Sequence, residues 1–236
     1  MGNGISVVIP AYKAERFIDE CLLSILAQEY ESFEILVGID GCTSTLDHII
    51  PKAYPEQVRF FYFEQNRGPY VVKNSLTTEC KYNNLLFFDA DDVMAKDTLL
   101  RFDKLIQEAH LVRLPYINFN FNFNPKRNKT WGNAKADGTF GVRKDMFESI
   151  NGFYDWKCSA DTEFVRRTEQ LGWKHTTMEG VAIFRRIHGN NLTIHPDTNF
   201  TSDIRKTYDR IIREQPRHNP SILITHPYSH VKHTNA

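Results

Sequence analysis

Four times before residue 110 the sequence repeats one two-part pattern, a short apolar run followed by apolar residues at helical spacing. "ISVVIP" is closed by Pro10, and "AERFIDECLLSILAQ" then places Phe17, Cys21, Leu22, Ile25 and Leu26 on one helical face. "FEILVGID" leads into the helical "STLDHIIPKAY", with Ser44 or Thr45 as its candidate cap. "VRFFYF" leads into "GPYVVKNSLTT", and "NNLLFFD" into "AKDTLLRFDKLIQEA". Apolar runs without alternation need cover on both faces, so the expected class is α/β, a mostly parallel central sheet with helices on both sides. Ligands of such sheets bind beyond the carboxyl ends of the strands. Asp40 ends the second run and Asp89 the fourth, which places both at one predicted crevice.

After residue 110 the pattern changes. "INFNFNFN" (117–124) alternates strictly, with Ile117, Phe119, Phe121 and Phe123 on one face and Asn118, Asn120, Asn122 and Asn124 on the other. This is a strand whose Asn face meets water or lines a polar cleft. A polar loop, "PKRNKTWGNAKADG", precedes the strand "TFGV" and the short helix "RKDMFESI". "DTEFVRRTEQLG" reads as a helix with a Gly stop, "VAIFRRIH" as a strand, and "SDIRKTYDRIIRE" as a helix carrying Ile204, Tyr208, Ile211 and Ile212. No linker or repeat divides the chain, so residues 1–236 are expected to form a single domain.

Charge narrows the partners. Lys plus Arg total 29 and Asp plus Glu total 29, so no net field draws nucleic acid or an anionic membrane. An anionic ligand must be met by local positive charge or by a metal. No apolar stretch approaches the ~20 residues of a membrane helix. Cys21, Cys42, Cys80 and Cys158 are far apart with no CxxC pair, which suits reduced thiols. With "MGNGISVVIP" running straight into a strand and no secretory leader, the expectation is a soluble, cytoplasmic protein. The N-x-Thr sequons at Asn128, Asn191 and Asn199 then read as chance matches.

"NNLLFFDADDVM" sets Asp89, Asp91 and Asp92 at the end of a buried run. Like charges so close resist burial unless each is paired or bound to a cation. Mg²⁺ or Mn²⁺ suits such hard oxygen ligands, with substrate phosphates completing the shell. The same carboxylates also fit a helix cap or a solvated loop. Other phosphate-binding devices are missing: there is no GxxxxGK[ST], and "GNG" precedes its strand, whereas a dinucleotide fingerprint follows one.

"ISVVIPAYKAERFIDECLLSILAQEYESFEILVGIDGCTST", "NRG", "FFDADDV" and "GTFGVRKDMFESINGFYDWKCSADTEFVRRTEQLGW" together resemble family 2 glycosyltransferases of the GT-A fold, over roughly residues 5 to 190. The resemblance implies an inverting transfer from a nucleotide-sugar, UDP-sugar favoured, to an acceptor hydroxyl on a glycan, protein or lipid-linked sugar. It assigns residues 1–110 to a nucleotide-binding half, 111–200 to an acceptor and catalytic half, and 201–236 to a C-terminal helix and tail. Pro10 and Tyr12 of "VIPAY" match the strand that holds the base, Tyr12 as a stacking partner. Asp40 matches the acceptor of uracil N3–H. The D-x-D matches Asp89-Ala90-Asp91, with Asp89 near ribose and metal, Asp91 the direct metal ligand, and Asp92 in support.

Further along, "SADTEF" implies Asp161 as catalytic base, with Ala160 in place of the usual first acid. As the start of its helix, Asp161 also reads as an N-cap. His188 matches a His that completes the metal shell or meets the diphosphate. Lys73 stands where the family often has Arg, and only one of Arg185 and Arg186 can face the site, since alternate residues of a strand point to opposite sides. Lys13 replaces the Asn usual after "PAY", and "GIDGCTS" carries one acid where "VDDGSTD" carries two.

Two other readings compete. "LLFFDADDVM" fits the start of a haloacid-dehalogenase-like phosphatase with Asp89 as nucleophile and Asp91 as acid/base, although that motif ends the first strand of its fold and here three β-α units precede it. The other is a non-catalytic sugar-nucleotide or glycan-binding domain, motivated by Ala160 and the altered base loop.

Overall fold

In the computed structural model, residues 4–120, 138–189, 191–214 and 220–231 are described. The four β-α units appear in order: β1 (Ile5–Ala11), α1 (Ile18–Leu26), β2 (Phe33–Asp40), α2 (Thr43–Ile49), β3 (Val58–Phe63), α3 (Pro69–Thr77), β4 (Asn84–Phe87), then β5 (Val93–Met94) and α4 (Thr98–Ile106). The second half holds β6 (Leu111–Arg113), β7 (Tyr116–Asn120), β8 (Phe140–Arg143), α5 (Lys144–Ser149), α6 (Ala160–Gln170), β9 (His175–Thr177), β10 (Ile183–Ile187), α7 (Asp203–Glu214) and β11 (Ser229–His230).

The large sheet runs β11-β3-β2-β1-β4-β8-β6-β9. Its heart, β3-β2-β1-β4, is parallel, and β8 adds antiparallel to β4. All eight residues of β2 are buried, which is why the run lacks alternation. Each face has its own core. On one side Ile5, Val7 and Ile9 of β1 meet Ile18, Cys21, Leu22 and Ile25 of α1 and Leu99, Phe102 and Ile106 of α4. On the other, Val8 meets Val72 and Leu76 of α3, Phe147 of α5, and Phe164 and Val165 of α6. A small second sheet, β5-β10-β7, stands beside the end of β4.

Some local expectations change. Neither Ser44 nor Thr45 caps α2: Cys42 is the capping residue without a side-chain bond, and the Thr45 hydroxyl instead accepts the Ala14 amide at 3.0 Å and donates to Glu15 at 3.1 Å. Phe17 precedes α1, so Ile18 takes its place in the core. On β7, Ile117 and Phe119 are buried and Asn118 is half-buried, whereas Phe121 to Asn124 lie outside the described residues. None of the apolar residues of α7 is fully buried. Short β5, β6, β9 and β11 carry no periodicity to read; β11 is held instead by antiparallel pairing with the edge of β3.

Gly38 lets α3 lie directly on β2, since a Cβ there would come within 2.3 Å of Val72 Cγ1. Overpacking of this kind costs about 1–3 kcal/mol. Gly38→Ala is therefore expected to lower the free energy of unfolding in urea by that amount, with an earlier midpoint; an unchanged midpoint would show that α3 has slack.

Candidate active site

Asp40, at the carboxyl end of β2, is only 3% exposed. Its Oδ1 accepts the Arg67 amide at 2.7 Å and its Oδ2 the Gly68 amide at 2.9 Å. Burial pushes its pKa up and the two amides pull it back, with burial prevailing. Gly68, at φ 87°, is the capping residue of α3, and Pro69 opens the helix. Tyr12, at the end of β1, is 49% exposed, with Lys13 Nζ 5.2 Å from its ring centroid. Pro10 is half-buried and lies in register with Gly38.

The next turn of α3 reaches two more acids. Lys73 is buried, with Nζ 3.3 Å from Asp89 Oδ1 and within 6.0 Å of the Tyr70 ring centroid. Tyr70 donates its hydroxyl to Asp161 Oδ1 at 3.1 Å. Burial, together with the Asp161 charge, raises the Tyr70 pKa and keeps the phenol protonated. Asp161 sits in the first turn of α6 and does not cap it: Ser159, at φ 64°, is the capping residue and Ala160 starts the helix. Behind it, buried Arg167 ties α6 to the chain before it, donating to the Ile150 and Gly152 carbonyls at 2.6 Å each and to Glu163.

The three neighbouring acids after β4 have separate surroundings. Ala90 is buried, and Asp91 Oδ2 lies 2.8 Å from His188 Nε2 and accepts the Asn191 side-chain amide at 3.1 Å. Asp92 turns inward, its Oδ1 accepting the Arg186 amide at 2.9 Å; burial and then the charges of Asp91 and Asp89 raise its pKa well above the carboxylate range. The two arginines of β10 face opposite ways, as alternation requires. Arg186 is packed between Phe17 and Phe119 and donates to the Asp91 carbonyl at 2.8 Å and to Glu20 at 2.5 Å. Arg185 lies over Tyr116 and donates to Thr193 at 2.9 Å. Among the described residues no three His, Cys, Asp or Glu gather as a metal cluster, so Asp91 and His188 stand as a pair.

The structure thus joins Lys73 to Asp89 and His188 to Asp91, and sets Tyr12 and Asp40 on adjacent strand ends. Two contributors carry no sequence signal of their own: Tyr70 hides within an apolar helical pattern and Asn191 within a sequon. Arg67 and Gly68 fall in "NRG", but it is their backbone amides that act.

Residues 6–186, more than half of the chain, match the family model "Glycosyl transferase family 2". The chain belongs to that family. An uncharacterized glycosyltransferase of Haemophilus influenzae is 30% identical over 112 residues, covering 46% of this chain and 44% of that protein. Poly(ribitol-phosphate) beta-glucosyltransferase of Bacillus spizizenii is 31% identical over 152 residues, 62% of this chain and 22% of its own. The chain therefore spans less than half the length of these curated relatives. The crystal structure of S. aureus TarS 1–349 in complex with UDP-GlcNAc superposes with TM-score 0.67 at 19% identity, covering 80% of this chain and 60% of that one. This is the α/β GT-A architecture expected from the sequence, with "FFDADDV" following from the fourth strand of a family member and not from the first strand of a phosphatase.

Replacing Asp40 by Asn puts an amide donor against a backbone donor and leaves a buried amide unsatisfied. Such a group costs about 1–3 kcal/mol. Asp40→Asn is expected to lose that much stability in chemical denaturation, with faster hydrogen exchange at Gly68; unchanged exchange would mean that the loop before α3 is held otherwise.

Proposed function

We propose that this chain is an inverting glycosyltransferase that moves a sugar from a nucleotide-sugar, with UDP favoured, to an acceptor hydroxyl. The observation that carries the reading is the α3 bridge: Lys73 on Asp89 and Tyr70 on Asp161 are neighbours on one helix, so a donor-side carboxylate and a base carboxylate flank one crevice. A UDP donor is further supported by the UDP-GlcNAc and UDP complexes of TarS.

In this reading Tyr12 stacks on the base beside Pro10, and Asp40, each of whose oxygens accepts one amide, keeps a second lone pair for uracil N3–H. Asp89, oriented by Lys73 and next to Ala90, would meet the ribose and help hold the metal. Asp161 takes the proton of the acceptor hydroxyl as that oxygen attacks the anomeric carbon, and the bonding pair leaves with the nucleoside diphosphate. Attack opposite the leaving group inverts the centre. A positioned base contributes about 10²–10⁴ in rate.

The family resemblance also implies Mn²⁺ or Mg²⁺, and the residues present fit it. Asp91 Oδ2 and His188 Nε2, a hard oxygen and an imidazole nitrogen 2.8 Å apart, would hold the ion together with Asp89 and the donor phosphates. Bound there, the ion supplies neutralisation of charge on the departing diphosphate. The domain halves follow the same division, residues 1–110 for the nucleotide and 111–200 for the acceptor and base. Among the described residues no helix is long and apolar enough to cross a membrane, and all four cysteines are free and buried, which supports a reducing, cytoplasmic setting.

Screening UDP-sugars by thermal shift with Mn²⁺ identifies the donor, because a bound ligand stabilises the fold by mass action. With that donor, Asp161→Asn is expected to lower kcat by about 10²–10⁴ while UDP still binds. UDP binding without turnover on any acceptor would make the chain a binding domain, and phosphoester hydrolysis lost in Asp89→Asn would make it a phosphatase. Separately, His188→Ala and Asp91→Asn are each expected to weaken Mn²⁺-dependent UDP binding at least tenfold in calorimetric titration; affinity indifferent to EDTA would remove the metal from this reading.

A further inference from the structure

The two oxygens of Asp161 are treated differently. Oδ1 accepts both the Tyr70 hydroxyl at 3.1 Å and the Thr162 amide at 2.8 Å. Oδ2 borders Gly138, where a Cβ would stand only 2.8 Å from it. We infer that Tyr70 is a positioning residue for the base, and that Oδ2, approached past Gly138, is the oxygen that takes the acceptor's proton. The inference rests on the reading of Asp161 as base.

A carboxylate torsion is broad and two-fold, so a solvated Asp presents either oxygen. Two donors on one oxygen remove that freedom and leave the second to face the substrate. Tyr70 is well suited to hold one of them. It is buried, its ring packs 5.5 Å from Phe153, and it stands three residues before Lys73, which holds Asp89. Three residues of helix rise about 4.5 Å, so α3 sets base and donor-side acid at a fixed offset. The chain's own atoms account for the step: the acceptor proton passes to Oδ2, the acceptor oxygen bonds to the anomeric carbon, and the sugar–diphosphate bond breaks with its pair going to the diphosphate. Tyr70 keeps its proton throughout. Gly138 matters because any larger residue occupies the approach to Oδ2.

The test reads UDP release from UDP-glucose and UDP-N-acetylglucosamine, with water or an alkyl glycoside as acceptor, alongside UDP titration. Tyr70→Phe preserves the ring and deletes the hydroxyl; kcat is expected to fall about 10- to 100-fold, the scale of a small misplacement of a reacting group, with UDP affinity within twofold of the native chain. Replacing Tyr70 with 4-aminophenylalanine, which keeps a donor at that position, is expected to restore most of the rate. Gly138→Ala lowers kcat by a comparable factor. Combined with Asp161→Asn, Tyr70→Phe adds no further loss, as expected of residues acting through one group.

A native rate in Tyr70→Phe while Asp161→Asn is inactive overturns the inference and leaves the base standing, as does a 4-aminophenylalanine chain as slow as Tyr70→Phe. A fully active Asp161→Asn, or a native chain that binds UDP and turns over neither donor, overturns the base reading and this inference with it.

Discussion

Asp40 lies almost buried at the end of β2, and each of its two oxygens accepts one amide, from Arg67 and from Gly68. A carboxylate in that position is costly to bury unless it is hydrogen-bonded, and here the bonds come from the backbone that opens α3. The bond pair fixes where the helix begins, Pro69 fixes its first dihedral, and Gly38 removes the side chain that would lift it off the sheet. Once the start and the seat of α3 are set, Tyr70 and Lys73 have no freedom to choose other partners. The Tyr70–Asp161 and Lys73–Asp89 contacts are therefore indexed to one strand end.

The cluster after β4 shows how a chain carries three carboxylates in four positions. Their mutual repulsion is relieved by giving each a different neighbour: Lys73 for Asp89, His188 and Asn191 for Asp91, and the Arg186 amide for Asp92. Only Asp92 is buried, and its surroundings favour the protonated form, so the pair left to act at the surface is Asp89 and Asp91. Arg186 has a structural part in this. Its guanidinium, sandwiched between Phe17 and Phe119, links the acid loop to α1 through Glu20.

Periodicity explains which parts of this arrangement are legible in the sequence. The four parallel strands are apolar runs and their helices are amphipathic, so these four β-α units follow from spacing alone, and Asp40 and Asp89 fall where strand ends must fall. The partners of these acids do not. Backbone amides leave no residue-type signature, Tyr70 matches a core position as well as a polar one, and Asn191 gains its meaning only when the turn after β10 folds back and brings it to Asp91. Strands of two or three residues, such as β5, β6 and β9, are defined by their neighbours and not by their own composition.

Ala160 illustrates the difference between a lost function and a changed one. By family resemblance an acid is usual there, yet in this chain Ala160 is fully buried, in the same cluster as Phe140 and Phe164. An acid at that point would have to be desolvated against aromatic rings, at a cost of several kcal/mol. The substitution thus belongs to the core, and it leaves Asp161 as the half-buried acid in the first turn of α6, beside the half-exposed Thr162. In place of a second acid, the Tyr70 phenol reaches across from α3 and donates to Asp161 Oδ1 without adding charge.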